Sequence, residues 1–94
     1  MTLFGIAKIG VPTVEILRKI NTERAKSTEA YFRHAAFRAL DKSLITIEVY
    51  GSAEDVQALK QWRTDVTDVA VLDRIDFTLA ELEYRLAQEA SPTD

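Results

Sequence analysis

Residues 43–77, SLITIEVYGSAEDVQALKQWRTDVTDVAVLDRIDF, constrain the fold of this chain more than any other stretch. The run LITIEVY alternates apolar and polar side chains and is rich in β-branched residues, a pattern typical of a half-buried strand. Gly51 ends this run, and Ser52 followed by Asp55 predicts a capped helix start. Residues 69–77 are again short and apolar, which indicates another strand. The segment therefore predicts a strand, a capped helix and a second strand.

The rest of the chain supplies further elements. Residues 2–10 are apolar and carry no helix-starting signal, which favours a buried strand. Thr13 is a candidate N-cap of a first helix that is expected to fade within residues 21–27. Thr78 followed by Glu81 is a second capping-box pattern and predicts the start of a final helix. The apolar stripes of the last two helices are expected at Val56, Leu59 and Trp62, and at Leu79, Leu82 and Leu86.

Residues 28–41, TEAYFRHAAFRALD, are ambiguous. Their propensity favours a helix, whereas as a strand they would pair with residues 44–50 through a turn. The strand gives an α+β fold, the ferredoxin-like β-α-β-β-α-β plait with an added C-terminal helix. The helix gives a three-stranded βαβαβα layer with a long first helix. We prefer the plait, as one domain over residues 1–90 with a disordered tail at 91–94, because the alternative has few strands for this length.

The segment LITIEVYGSAEDVQALKQWRTDVTDVAVLDRIDF resembles the second half of ACT and NIL ferredoxin-like regulatory domains. In those families a strand ends in glycine, an acidic helix follows, and a last strand closes the sheet. The resemblance implies a regulatory module that pairs with another copy and binds a small molecule near its first strand-to-helix loop, here Gly10, Val11 and Thr13. The segment is also similar to acylphosphatases, but the G-x-V-x-G-V-x-F-R loop of that family is missing, so phosphatase activity is not expected.

Composition narrows the function classes. The 94 residues carry a net charge of -3 and no cysteine, which excludes disulfides and thiolate metal sites and is typical of a cytoplasmic protein. No apolar run approaches the length of a membrane span.

The charge is distributed unevenly along the chain. Residues 1–42 carry eight basic and four acidic residues, and residues 43–94 carry four basic and eleven acidic residues. Such asymmetry favours association between copies, or an anionic ligand on the basic half.

These observations predict a non-catalytic regulatory or assembly module, homo-oligomeric through an open sheet face, that binds a small anionic metabolite and no cofactor. The interface is expected at Phe4, Tyr31, Arg33, Phe37 and Tyr50.

No catalytic or metal-ligating set is evident in the sequence. His34 is the only histidine and is expected to be structural and partly buried. Two alternatives stay open. The first is a small plait enzyme that uses Tyr31, Arg33 and His34. The second is RRM-like binding of single-stranded RNA, which the negative net charge disfavours.

Overall fold

The computed structural model describes residues 12–90, which form four α-helices and, within that range, no strand. The fold of these residues is therefore all-α. The α+β plait and the βαβαβα layer are both wrong. The predicted strand at residues 2–10 and the tail at 91–94 lie outside the described residues. The helices are α1 (Val14–Lys26), α2 (Ala30–Tyr50), α3 (Ala53–Arg63) and α4 (Val69–Ala90).

The helices form a bundle in which α1 and α4 each pack against both α2 and α3. Side-chain contacts fix the direction of α4 relative to α2. Near the start of α4, Nε of Arg74 lies 2.6 Å from Oδ1 of Asp41 in α2. Further along α4, Arg85 donates a hydrogen bond to the carbonyl oxygen of Gly51, just after the end of α2. Residue numbers therefore increase in the same direction along both helices, so α2 and α4 are parallel neighbours.

Apolar side chains from all four helices meet in one core. The most deeply buried of them include Leu17 of α1, Ile47 of α2 and Leu59 of α3, each with no exposed surface. The predicted stripe of α3 is confirmed, since Val56, Leu59 and Trp62 are all buried. The predicted stripe of α4 is confirmed as well: Leu79 and Leu82 are buried, and Leu86 packs against the cluster.

The run LITIEVY forms the last two turns of α2 and not a strand. In the helix, Leu44 and Ile47 continue the buried stripe that begins at Ala36 and Leu40, while Ile45 is exposed. A β-branched residue costs a helix at most about 0.7 kcal/mol relative to alanine. Burying a leucine or isoleucine contributes about 1.5–3 kcal/mol. The helix also needs no new nucleus, because good helix formers precede the run.

Residues 69–77, the second predicted strand, form the first half of α4. Asp68 starts this helix: its Oδ1 accepts the N–H of Ala70 at 2.9 Å. The predicted capping box at Thr78 and Glu81 is wrong, because both residues lie in the middle of α4. Thr78 is fully buried, and its hydroxyl donates to Glu48 Oε2 of α2 at 3.0 Å.

The predicted starts of α1 and α3 are confirmed. Thr13 is the N-cap of α1, and its Oγ1 accepts the N–H of Ile16 at 3.3 Å. Ser52 is the N-cap of α3, and its N–H donates to Asp55 Oδ2 at 2.9 Å, as in a capping box. Helix α1 continues to Lys26, through most of the range in which it was expected to fade.

Candidate association surface

The outward sides of α2 and α4 form one surface, because the two helices are parallel neighbours. Asp41 and Glu48 mark the side of α2 that contacts α4. Successive helical residues are rotated by about 100°, so the residues that point away from the core on this side can be identified. We call them the outer α2–α4 face, and all are exposed: Arg38, Lys42, Ile45 and Val49 of α2, and Asp73, Phe77, Glu81 and Tyr84 of α4.

The middle of this face is apolar. Ile45, Val49, Phe77 and Tyr84 are 46%, 53%, 51% and 66% exposed, and they make up four of the nine large apolar side chains that are exposed in residues 12–90. The guanidinium of Arg74 lies 5.4 Å from the ring centre of Phe77 and partly covers it. Exposed apolar side chains that cluster on one face indicate an interaction site, whereas single ones do not.

On the same face, the positive charges lie on α2 and the negative charges on α4. Arg38 and Lys42 give α2 a basic strip, and Asp73 and Glu81 give α4 an acidic strip. None of these four side chains takes part in an ion pair with another residue of the described chain. As far as residues 12–90 are concerned, the face therefore offers both signs of charge to a partner without ion pairs that would first have to break.

Elsewhere on α4 the charged side chains hold the bundle together. Arg63 of α3 donates two hydrogen bonds to the carboxylate of Asp76. These bonds lower the pKa of Asp76 and raise the pKa of Arg63. Lys60 of α3 lies 3.1 Å from Glu83. Because these residues already have partners inside the chain, the side of α4 toward α3 offers less free charge than the outer α2–α4 face.

Arg85 fixes the end of α2 against α4. Its Nε donates to the carbonyl oxygen of Glu48 at 2.9 Å, and its Nη2 donates to that of Gly51 at 2.6 Å. The last carbonyl groups of a helix have no partner within it, so a cation at this end both satisfies and stabilises them. Together with the bond between Thr78 and Glu48, this contact sets the relative height of α2 and α4, and so which residues of the outer α2–α4 face are neighbours.

A cleft of about 490 Å³ lies between the C-terminal half of α1 and the loop that joins α3 to α4. Its arginines already have partners. Arg24 lies 3.0 Å from Asp68, and the hydrogen bond from Arg24 lowers the pKa of Asp68. Arg33 donates to the carbonyl oxygens of Arg24 and Ser27 at the end of α1. An anion in this cleft would have to compete with these contacts, so the cleft is a weaker candidate than the outer α2–α4 face.

The predicted interface residues do not form one surface on the helices. The sheet that was to carry them is absent from residues 12–90, and Phe4 lies outside that range. Tyr31 and Tyr50 are strongly exposed at opposite ends of α2. Arg33 binds the end of α1, and Phe37 is partly buried with the guanidinium of Arg24 5.1 Å from its ring centre.

Of the predicted ligand site, only Thr13 lies within the described residues, where it caps α1. Gly10 and Val11 lie outside them, so an anionic metabolite at this loop stays a prediction.

His34 is exposed, so the prediction that it is partly buried is wrong. It lines a shallow depression of about 290 Å³ that includes Arg33 but not Tyr31. In the part of the chain that is described, no group of three or more His, Cys, Asp or Glu side chains could hold a metal ion.

The residues of the outer α2–α4 face were missed because residues 44–50 and 69–77 were interpreted as strands. The signal was present in the helical spacing. On a helix, Arg38, Lys42, Ile45 and Val49 fall on one side of α2, away from the buried stripe. A helical interpretation of residues 28–50 would have separated these two stripes.

Comparison of the chain with known protein families, with curated proteins and with solved structures finds no match. The predicted ACT or NIL identity is therefore wrong, since no family matches and residues 12–90 contain none of the strands that such a domain requires. Among the described helices, none combines the length and the apolar character needed to cross a bilayer.

Proposed function

We propose that this chain is an assembly module that forms homo-oligomers through the outer α2–α4 face. The observation that carries the proposal is the cluster of Ile45, Val49, Phe77 and Tyr84, all exposed on one face formed by two neighbouring helices. Water around such a cluster is unfavourable, and each square ångström of apolar surface removed from it contributes about 25 cal/mol. A second protein surface is the simplest way to remove it.

The size of the face supports weak, reversible association. The part of α4 that lies level with α2, residues 69–84, extends about 24 Å at about 1.5 Å per residue. Two neighbouring helices are about 20 Å across. Two copies that meet over this face would bury about 1,000 Å² in total, which is at the lower limit of specific interfaces. We therefore expect a Kd in the micromolar range, which corresponds to a free energy of association of about -8 kcal/mol. A permanent dimer is not expected.

The double substitution of Ile45→Glu and Phe77→Glu tests the proposal. Both side chains are about half exposed, so the fold is expected to tolerate the change, while carboxylates at the centre of the interface would have to be desolvated without partners. We expect the Kd for self-association, measured by sedimentation equilibrium, to rise at least about tenfold, which corresponds to about 1.4 kcal/mol.

Val69→Glu is the matched control. Val69 is 68% exposed on α4, but it points away from α2 and lies outside the outer α2–α4 face. The control is expected to associate like the original chain, and circular dichroism should give the same helix content for all three proteins. A double variant that associates as tightly as the original chain would contradict the proposal. So would an original chain that is monomeric at about 100 μM, a concentration well above a micromolar Kd.

A further inference from the structure

We infer that the partner copy sits with its α4 on α2 of the first copy, related by a twofold axis parallel to the helices. This inference rests on the proposed self-association through the outer α2–α4 face and adds its geometry. It predicts which residues meet across the interface, and it gives the charged residues of the face specific partners.

Two copies can meet face to face through the same surface, with their helices aligned, in two symmetric ways. With the twofold axis along the helices, left and right are exchanged, so that α2 faces α4 of the partner and all helices keep their direction. With the axis across the helices, left and right are kept, so that α2 faces α2 of the partner in antiparallel fashion. These two arrangements bring different side chains together.

Charge decides between them. The outward side of α2 carries Arg38 and Lys42, and that of α4 carries Asp73 and Glu81. The axis along the helices places each basic strip on an acidic strip of the partner. An axis across the helices, through the middle of the face, reverses the order of the residues along each helix, so Arg38 and Lys42 would face the apolar half of the partner's α2. Charges that are buried against apolar residues lose their water without gaining a partner, which disfavours that arrangement, whereas opposite charges that face each other fix the register.

The positions of the residues along the helix axes, here called their heights, agree with the arrangement in which the twofold axis is parallel to the helices. Asp41 lies beside Arg74, and Gly51 beside Arg85, so Ile45 is at about the height of Phe77 in the same chain. A rotation about an axis along the helices keeps every residue at its height. Ile45 then faces the partner's Phe77, and Arg38 lies about one helical turn or less from the partner's Asp73.

Cysteine cross-linking tests this geometry cleanly because the chain contains no cysteine of its own. Two single-cysteine variants, Ile45→Cys and Phe77→Cys, are mixed in equal amounts at a concentration above the Kd and oxidised mildly. Mass spectrometry then separates the mixed disulfide from the two products that join identical variants. Both sites are exposed, and circular dichroism checks that each variant folds.

The ratio of the mixed disulfide to the two like-variant products is expected to exceed the ratio given by random collision at least several-fold. The control mixture of Ile45→Cys with Val69→Cys is expected to give only the random proportion. A random proportion in the first mixture, or a dominant product that joins Ile45→Cys to itself, would overturn the inference while sedimentation still shows self-association. A monomeric original chain would instead overturn the proposed function.

A second variant keeps the test independent of cysteine chemistry. Reversal of the basic strip, with Arg38→Glu and Lys42→Glu, places acidic α2 on acidic α4 when the axis runs along the helices. We expect the Kd for self-association of this variant to rise at least about tenfold. Association is expected to return when it is mixed with a variant that carries Asp73→Lys and Glu81→Lys. Unchanged self-association of the first variant would contradict the axis along the helices.

Discussion

Replacement of Trp62 by alanine is expected to lower the free energy of unfolding by about 3–5 kcal/mol. Trp62 is 2% exposed and lies in α3, the shortest helix, with 11 residues. A helix of that length is marginal alone in water and depends on its buried side chains. The indole is the largest of them, so its removal leaves a cavity and takes away the main anchor of α3. Small domains are stable by only about 5–15 kcal/mol, so the loss would be a large part of the total.

Urea unfolding followed by far-UV circular dichroism measures this loss, because removal of the only tryptophan also removes the fluorescence probe. Tyr31→Ala is the matched control, since that aromatic side chain is 82% exposed. The control is expected to change the free energy of unfolding by no more than about 0.5 kcal/mol. A Trp62→Ala protein that is as stable as the control would contradict the position of Trp62 in the core.

Replacement of Gly51 by alanine is expected to cost about 1–3 kcal/mol. A Cβ atom at this position would lie 2.5 Å from the carbonyl oxygen of Ile47 and 2.9 Å from its Cγ2. The carbonyl oxygen belongs to the last turn of α2 and accepts the N–H of Gly51, so it cannot move away without loosening the end of the helix. The movement would also disturb the hydrogen bond from Arg85 to Gly51.

The sign of this effect is diagnostic. A glycine that alanine can replace without strain gains about 0.4–1 kcal/mol from the change, because the unfolded chain loses freedom. At Gly51 the φ angle of -70° is open to any residue, so a loss of stability would come from the lack of space alone. Thr28→Ala, at an exposed position between α1 and α2, is the control for urea unfolding. A Gly51→Ala protein more stable than the original chain would contradict the close contact with Ile47.

Local signals in the sequence predicted part of this fold. The capping pattern of Ser52 and Asp55 and the stripe of Val56, Leu59 and Trp62 are both present in α3. Such features depend only on neighbours a few residues away along the chain. They are therefore visible in the sequence without knowledge of the rest of the fold.

Whether the two apolar runs, residues 44–50 and 69–77, form strands or helices could not be predicted in the same way. In LITIEVY, alternation links Ile45, Ile47 and Val49, but helical spacing links Leu44 and Ile47 to Leu40. Both periods fit so short a run. The bundle uses the helical one, because Leu40, Leu44 and Ile47 then reach a core that α1, α3 and α4 also line. That core is a property of the whole chain, and tertiary packing overrides the local preference of β-branched residues.

The candidate site depends on the fold even more strongly. The charge asymmetry between residues 1–42 and 43–94 is visible in the sequence, and it reappears as the basic strip of α2 and the acidic strip of α4. That these strips flank one another follows only from the packing of α2 beside α4 in parallel. No sequence signal gives this neighbourhood, because the residues that establish it, such as Glu48 and Thr78, are thirty positions apart.

Both proposals require that residues 44–50 and 69–77 are helical and that α2 lies beside α4. NMR of the isotope-labelled chain tests this most directly. We expect helical backbone chemical shifts throughout both segments, together with a nuclear Overhauser contact between the methyl group of Thr78 and the side chain of Glu48. Extended shifts in either segment, with contacts of the kind that pair neighbouring strands, would contradict it.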